Sequence, residues 1–197
     1  MFARPRLLAC ALLFASVAAA CGGPRVRSDK PVVRGSLERL AELQPTDVAV
    51  APIRDQTDSQ RVPLALFRDA FVDALVERRY SPLAPAYVDA NWIEASFRGT
   101  PPPDGLLVVA ITAWDPSHLY STGIVEGSAD IALFEGGDTT GRVLWQCTLP
   151  GKVDMGDGKG HPPAPDQELI PKAVRALARQ ALAELPMRDP VAAHAKP

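Results

Sequence analysis

The stretch from Gly105 to Trp114 constrains the fold more than any other part of the chain. Leu106, Leu107, Val108, Val109, Ala110 and Ile111 follow one another without a polar interruption, just after the proline run Pro101, Pro102 and Pro103. That pattern predicts a central strand covered on both faces. Such a strand needs neighbours, and the residues downstream supply two. Between Ile124 and Phe134, Glu126, Ser128 and Asp130 fall on one side while Val125, Ala129, Ile131 and Leu133 fall on the other. From Arg142 to Leu149 the pattern repeats, with Val143, Trp145, Cys147 and Leu149 facing one way. Gly136, Gly137, Asp138, Thr139, Thr140 and Gly141 between them are turn formers, so the two segments read as an antiparallel hairpin.

Upstream, Val48, Val50 and Ile53 alternate within Asp47 to Ile53, a first strand restricted at its end by Pro52. After a polar loop, Leu64, Phe67, Phe71 and Leu75 recur at helical spacing, with Arg68, Asp69, Asp73 and Glu77 on the opposite side. This predicts an amphipathic helix from about Pro63 to Arg79. Tyr80 to Leu83 reads as a short second strand. Tyr87 to Phe97 reads as a second helix, carrying Val88, Trp92 and Ile93. Pro150 to Pro165 is a loop rich in glycine and proline. A last helix runs from Asp166 or Pro171 to Leu185, with Ile170, Val174, Leu177, Ala178, Ala181, Leu182 and Leu185 on one stripe. The order β-α-β-α-β, then a hairpin and a C-terminal helix, predicts an α/β (α+β) fold with a single mixed sheet.

The first residues carry a different message. Arg4 and Arg6 precede an apolar run from Leu7 to Ala20, and Ala18, Ala19 and Ala20 stand before Cys21, Gly22 and Gly23. The run is too short to span a bilayer, which takes roughly 20 apolar residues, and it reads as a signal peptide. Cysteine directly after the small residues matches lipoprotein processing, in which Cys21 is acylated and becomes the first residue. Several acyl chains on one cysteine hold a protein to its membrane far more firmly than one. The expected organisation is a signal peptide over 1–20, a lipidated cysteine and flexible tether ending in a short helix over 21–45, one domain over 46–186, and a disordered tail over 187–197. Removing Arg4 and Arg6 from 21 Lys plus Arg, set against 23 Asp plus Glu, leaves a net charge near −4. With no dense basic patch, a nucleic-acid partner is not expected.

The candidates for chemistry are few. His118, His161 and His194 have no cysteine or carboxylate at zinc-ligand spacing. Asp154 to Gly160 resembles a calcium loop only in part, because glycine stands at the third and fifth ligand positions. The same glycines lead into prolines rather than into the Gly-Lys-Ser/Thr and helix of a phosphate cradle. Ser96, Ser117, Ser121 and Ser128 lack the Gly-x-Ser-x-Gly elbow of a serine nucleophile. Cys147 alternates with Trp145 and Leu149 on the apolar side, where a thiolate is disfavoured, and Trp92, Trp114 and Trp145 read as packing anchors. No catalytic residue, cofactor, metal or small-molecule substrate is expected. The best candidate contact surface is the loop after the first strand: Arg54, Asp55, Gln56, Thr57 and Asp58.

Three segments carry a family resemblance: Val48-Ala-Val-Ala-Pro-Ile-Arg-Asp55, Ile111-Thr-Ala-Trp-Asp115 followed by Tyr120, and Asp138-Thr-Thr-Gly-Arg-Val-Leu-Trp145. Together they resemble a family of uncharacterised bacterial lipoproteins related in fold to the TolB amino-terminal domain, CsgG and LpoB. Asp55 stands where that family often has asparagine. The resemblance implies a TolB-N-like fold and a lipid-anchored, periplasm-facing module that binds protein partners without catalysis, as LpoB-like regulators of peptidoglycan synthases do. Its alternative implication is an oligomeric subunit of an envelope transport or secretion complex, as CsgG is. Gly22 after Cys21 leans toward the outer membrane.

Overall fold

The structure is a computed structural model of the 197-residue chain and describes residues 25–27 (as backbone), 32–57, 61–156 and 168–189. The signal peptide, Cys21, Asp58, His161, His194, the expected loop from 157 to 165 and the tail from 190 onward lie outside the described residues.

In chain order the elements are β1 (Arg25–Arg27), β2 (Val32–Arg34), α1 (Leu37–Leu43), β3 (Asp47–Val50), β4 (Arg54–Asp55), α2 (Leu64–Glu77), β5 (Ser81–Pro82) and α3 (Pro85–Ala90). They continue with β6 (Trp92–Ile93), β7 (Ser96–Phe97), β8 (Gly105–Asp115), α4 (Leu119–Thr122), β9 (Ile124–Glu135), β10 (Val143–Asp154) and α5 (Leu169–Ala181). The fold is the expected α+β arrangement. One mixed sheet runs β1-β10-β9-β8-β3-β5, with β2 also on β10 and β4 also on β8, and β6 and β7 form a separate hairpin. β3 and β4 lie parallel to β8, while β9 runs antiparallel to both of its neighbours, β8 and β10.

The sheet has an inner face under α2 and α5. Val48, Val50, Leu107, Val109, Ile111, Trp114, Val125, Ile131, Leu133, Trp145, Cys147 and Leu149 meet Phe67, Phe71, Leu75, Val174, Leu177 and Ala178 in one core. Phe67 and Trp114 touch edge to face, with ring centroids 5.1 Å apart, a geometry that adds to simple area burial. Two bulges keep the large residues inward. The register shifts between Ile111 and Ala113 on β8, which turns Trp114 to the core, and between Val143 and Trp145 on β10. Val143 is therefore not on the stripe with Trp145 and Cys147, as the alternation predicts. A one-residue slip moves a side chain to the other face, so Val143 pairs with Phe134 outside while Leu144 and Trp145 are both fully buried. Gly127 lies opposite Trp114, and a Cβ there would stand 2.7 Å from Leu177 Cδ1, so the end of that side chain would have to shift.

Several expectations need correction. Part of the segment expected to be a tether is folded, since β1 and β2 pair with β10; the short helix expected at its end is α1, capped by Ser36. Backbone pairing does not need apolar side chains, and an unpaired β10 would leave a long edge exposed. The second helix ends at Ala90, not Phe97. Glu94 (φ 47°) and Ala95 (φ 64°) are both left-handed and make the turn of the β6–β7 hairpin, a geometry that no glycine announces. The strand expected to stop at Leu149 runs to Asp154 through Pro150. Pro150 costs little there, because β2 pairs with Gln146–Thr148 and β1 with Lys152–Asp154, so it falls between the two. Arg68, expected on the solvent side of α2, is only 9% exposed. Its guanidinium donates to Val50 O (2.9 Å) and to Asp89 Oδ1 (2.6 Å), tying α2 to β3 and α3. At the chain end, Arg188 N donates to Arg78 O and Tyr80 Oη donates to Pro186 O, so the expected tail is held at its start.

Candidate functional site: the open half of the sheet

Among the described residues, the outer face of the sheet is covered at one end only. There α3 and the β6–β7 hairpin lay Val88 and Phe97 on Ala49, Ala51 and Leu106, a second core separate from the first. Tyr87 extends it, stacking edge to face on Phe97. Beyond this cap no described helix or hairpin covers the outer face. Strand registers put Arg34, Gln146, Ala132 and Val108 in one row across β2, β10, β9 and β8, and Val32, Thr148, Asp130, Ala110 and Arg54 in the next, which reaches β4.

The middle of both rows is small. Val108, Ala110 and Ala132 leave a depression of about 350 Å³, walled by Phe134 on the cap side and by Arg54, Asp130, Gln146 and Thr148 elsewhere. Thr148 Oγ1 donates to Asp130 Oδ1 at 2.7 Å, so that carboxylate is oriented in advance. The site offers a guanidinium, a carboxylate, an amide and a hydroxyl around an apolar floor. Shallow surfaces of this composition suit hydrogen-bonded contact with another macromolecule.

Of the residues expected to make contact, Arg54 lines this groove. Asp55 follows it on β4 and turns to the opposite side, as successive strand residues do. Its carboxylate closes its own turn, accepting from Thr57 N (2.8 Å) and Thr57 Oγ1 (2.7 Å). Gln56 is held by its backbone, which donates to Ile111 O. Of the four of these residues that the structure describes, Arg54 faces the groove and Asp55 faces away from it. Asp130, Gln146, Thr148, Ala132 and Phe134 were missed. The signal was present in β9, where Ala132 and Phe134 continue the side that carries Glu126, Ser128 and Asp130: apolar residues on an otherwise polar stripe.

The other candidates for chemistry are separated. Asp115 is held below the ordinary carboxylate range by hydrogen bonds from the Ser117 hydroxyl and amide. Asp138 is held low in the same way by Thr140. Each carboxylate serves its own turn. Cys147 lies in the inner core, and burial pushes its thiol up to about 11. Among the described residues no three of His, Cys, Asp and Glu converge as metal ligands. No described helix is long and apolar enough to cross a membrane.

No family model matches the chain, and no curated protein does. Solved structures with a similar fold include the PelC dodecamer from Paraburkholderia phytofirmans, at 16% identity over 84% of this chain and 99% of that one, with a TM-score of 0.45. They also include lipoprotein GNA1162 from Neisseria meningitidis, at 16% identity over 72% of this chain and 99% of that one, TM-score 0.41. A third is the hypothetical protein CT253 from Chlamydia trachomatis, at 11% identity over 71% and 93% of the two chains, TM-score 0.41. At these identities and TM-scores neither a family nor a function passes from them to this chain.

Proposed function

We propose that this protein is an envelope lipoprotein, anchored by lipid on Cys21, that binds a protein partner on the open half of its sheet and has no catalytic activity of its own. The observation that carries the reading is the groove itself. A face that places Arg54, Asp130, Gln146 and Thr148 around small apolar residues is built for contact. Asp55 and Asp115, the carboxylates that end β4 and β8, are committed to turns rather than aimed into that groove. The lipid anchor rests on Arg4, Arg6, the apolar run to Ala20 and Cys21. The sequence resemblance to the TolB, CsgG and LpoB group points the same way, toward a periplasm-facing module on the outer membrane that supports an envelope assembly.

The test has two parts. Cys21→Ser should leave an unprocessed or unlipidated protein that no longer follows the membrane fraction. Affinity capture from detergent-extracted envelope should recover a discrete protein that Arg54→Glu combined with Thr148→Arg loses and that Asp73→Arg, on the helical side, keeps. Capture that is the same for all three proteins would sink the groove as the contact site. Sedimentation of the solubilised protein separates a foreign partner from a second copy of the chain.

A further inference from the structure

The distance between the lipid anchor and the first strand restricts how the domain can stand on its membrane. Only four chain steps separate Cys21 from Arg25, which already pairs with Asp154. Fully extended, four residues span at most about 14 Å, and antiparallel partners lie about 5 Å apart. Asp154 is thus within roughly 20 Å of the anchored cysteine. A leash running to Pro45 would have left the orientation free; the pairing of β1 removes that freedom.

The end of the sheet around Asp154 is well defined. Asp154 pairs with Ile124, and Met155 N donates to Gly123 O at 2.7 Å, so β10 ends against the α4 turn. Leu119 is fully buried and fixes that turn to the core, whereas Tyr120 beside it is 60% exposed, the most exposed large apolar side chain among the described residues. Tyrosine suits the boundary between water and lipid, with a ring that partitions into the headgroup zone and a hydroxyl that stays hydrated. The opposite end, the turn from Gly136 to Gly141, lies roughly 35–40 Å away along the twelve residues of β9.

We infer that the protein docks on its own bilayer through the end of the sheet formed by Asp154, Met155 and the Leu119–Gly123 turn, with Tyr120 in the headgroup layer. This rests on the lipidation of Cys21 proposed above. The docking leaves the groove near Thr148, six residues up β10 from Asp154, about 20 Å above that end and free for a partner.

The experiment places photoreactive benzoylphenylalanine at Tyr120, and in a second protein at Thr140, in the full chain processed in cells. The purified proteins go into vesicles of phosphatidylethanolamine and phosphatidylglycerol, and after irradiation phospholipid adducts are counted by mass spectrometry. The same spectra report the modification of Cys21. Docking predicts adducts at position 120 several-fold above those at position 140. Equal adducts, or more at 140, with Cys21 lipidated, overturn the docking and leave the anchor standing. A bare Cys21 thiol overturns the anchor, and the docking falls with it. Tyr120→Ser should leave the thermal midpoint in detergent unchanged while making the lipidated protein easier to extract from vesicles with alkaline carbonate.

Discussion

The two faces of the sheet are made from the same strands and do opposite things. On the inner face β3, β8, β9 and β10 contribute large residues, and two bulges correct the register so that Trp114 and Trp145 both point in. On the outer face, β8 and β9 carry Val108 and Ala132 in one row and Ala110 in the next, and among the described residues only the Leu106 and Phe134 end is roofed, by α3 and the small hairpin. Burial of large side chains stabilises the fold at about 25 cal/mol per Å² of apolar surface; small residues such as Ala110 and Ala132 contribute little and leave room. The contrast teaches where this chain places stability and where it leaves surface for contact.

The largest test of that contrast is Trp145→Ala. The side chain is fully buried, and such truncations cost about 3–5 kcal/mol, to be measured by urea denaturation. A loss no greater than that of Gln146→Ala, its neighbour on the other face, would break the comparison. Next comes Arg68→Ala, which removes the link from the helical layer through Val50 O to Asp89 under the cap. Charged hydrogen bonds of this kind contribute about 1.5–3 kcal/mol, and hydrogen exchange should rise in α3 more than in α5.

A third effect is spread over pH. The Cys147 thiol stands at about 11 in the folded chain against an ordinary 9.0, and the Tyr80 phenol at about 12 against 10.0. Both are raised chiefly by burial, which disfavours the anion. The neutral forms favour the folded state, so their contribution is complete below pH 9.0 and is lost as pH rises through about 11 for the thiol and about 12 for the phenol. Cys147→Ala should remove the first stage of this alkaline loss and leave the second, as followed by thermal midpoint against pH. The smallest effect belongs to the groove: Gln146→Ala and Thr148→Ala should each change stability by no more than about 0.5 kcal/mol, while weakening partner capture. If Thr148→Ala instead destabilises as much as Arg68→Ala, the outer face is structural and the division between the faces fails.

Much of the fold was legible in the chain because it is written in periodicity. The central strand at Gly105–Asp115, the helix at Leu64–Glu77 and the hairpin of β9 and β10 each repeat one pattern long enough to be read. The β6–β7 hairpin was not legible, since Glu94 and Ala95 take a left-handed turn that their side chains do not favour. Packing of Trp92 and Phe97 against the outer face overrides that local preference. The candidate site was legible only at Arg54. Its other walls come from β9 and β10, and sequence position alone does not reveal that Ala110, Asp130 and Thr148 share a row.

What the sequence by itself determined is the alternation of large and small, apolar and polar residues, and with it the long strands and helices. The tertiary structure alone decided the register: which residue lies beside which, where a bulge turns Trp145 inward, and which end of β10 takes β1 as its neighbour. Periodicity is a property of neighbours along the chain, whereas register depends on backbone hydrogen bonds between segments more than 100 residues apart, such as Arg25 and Asp154.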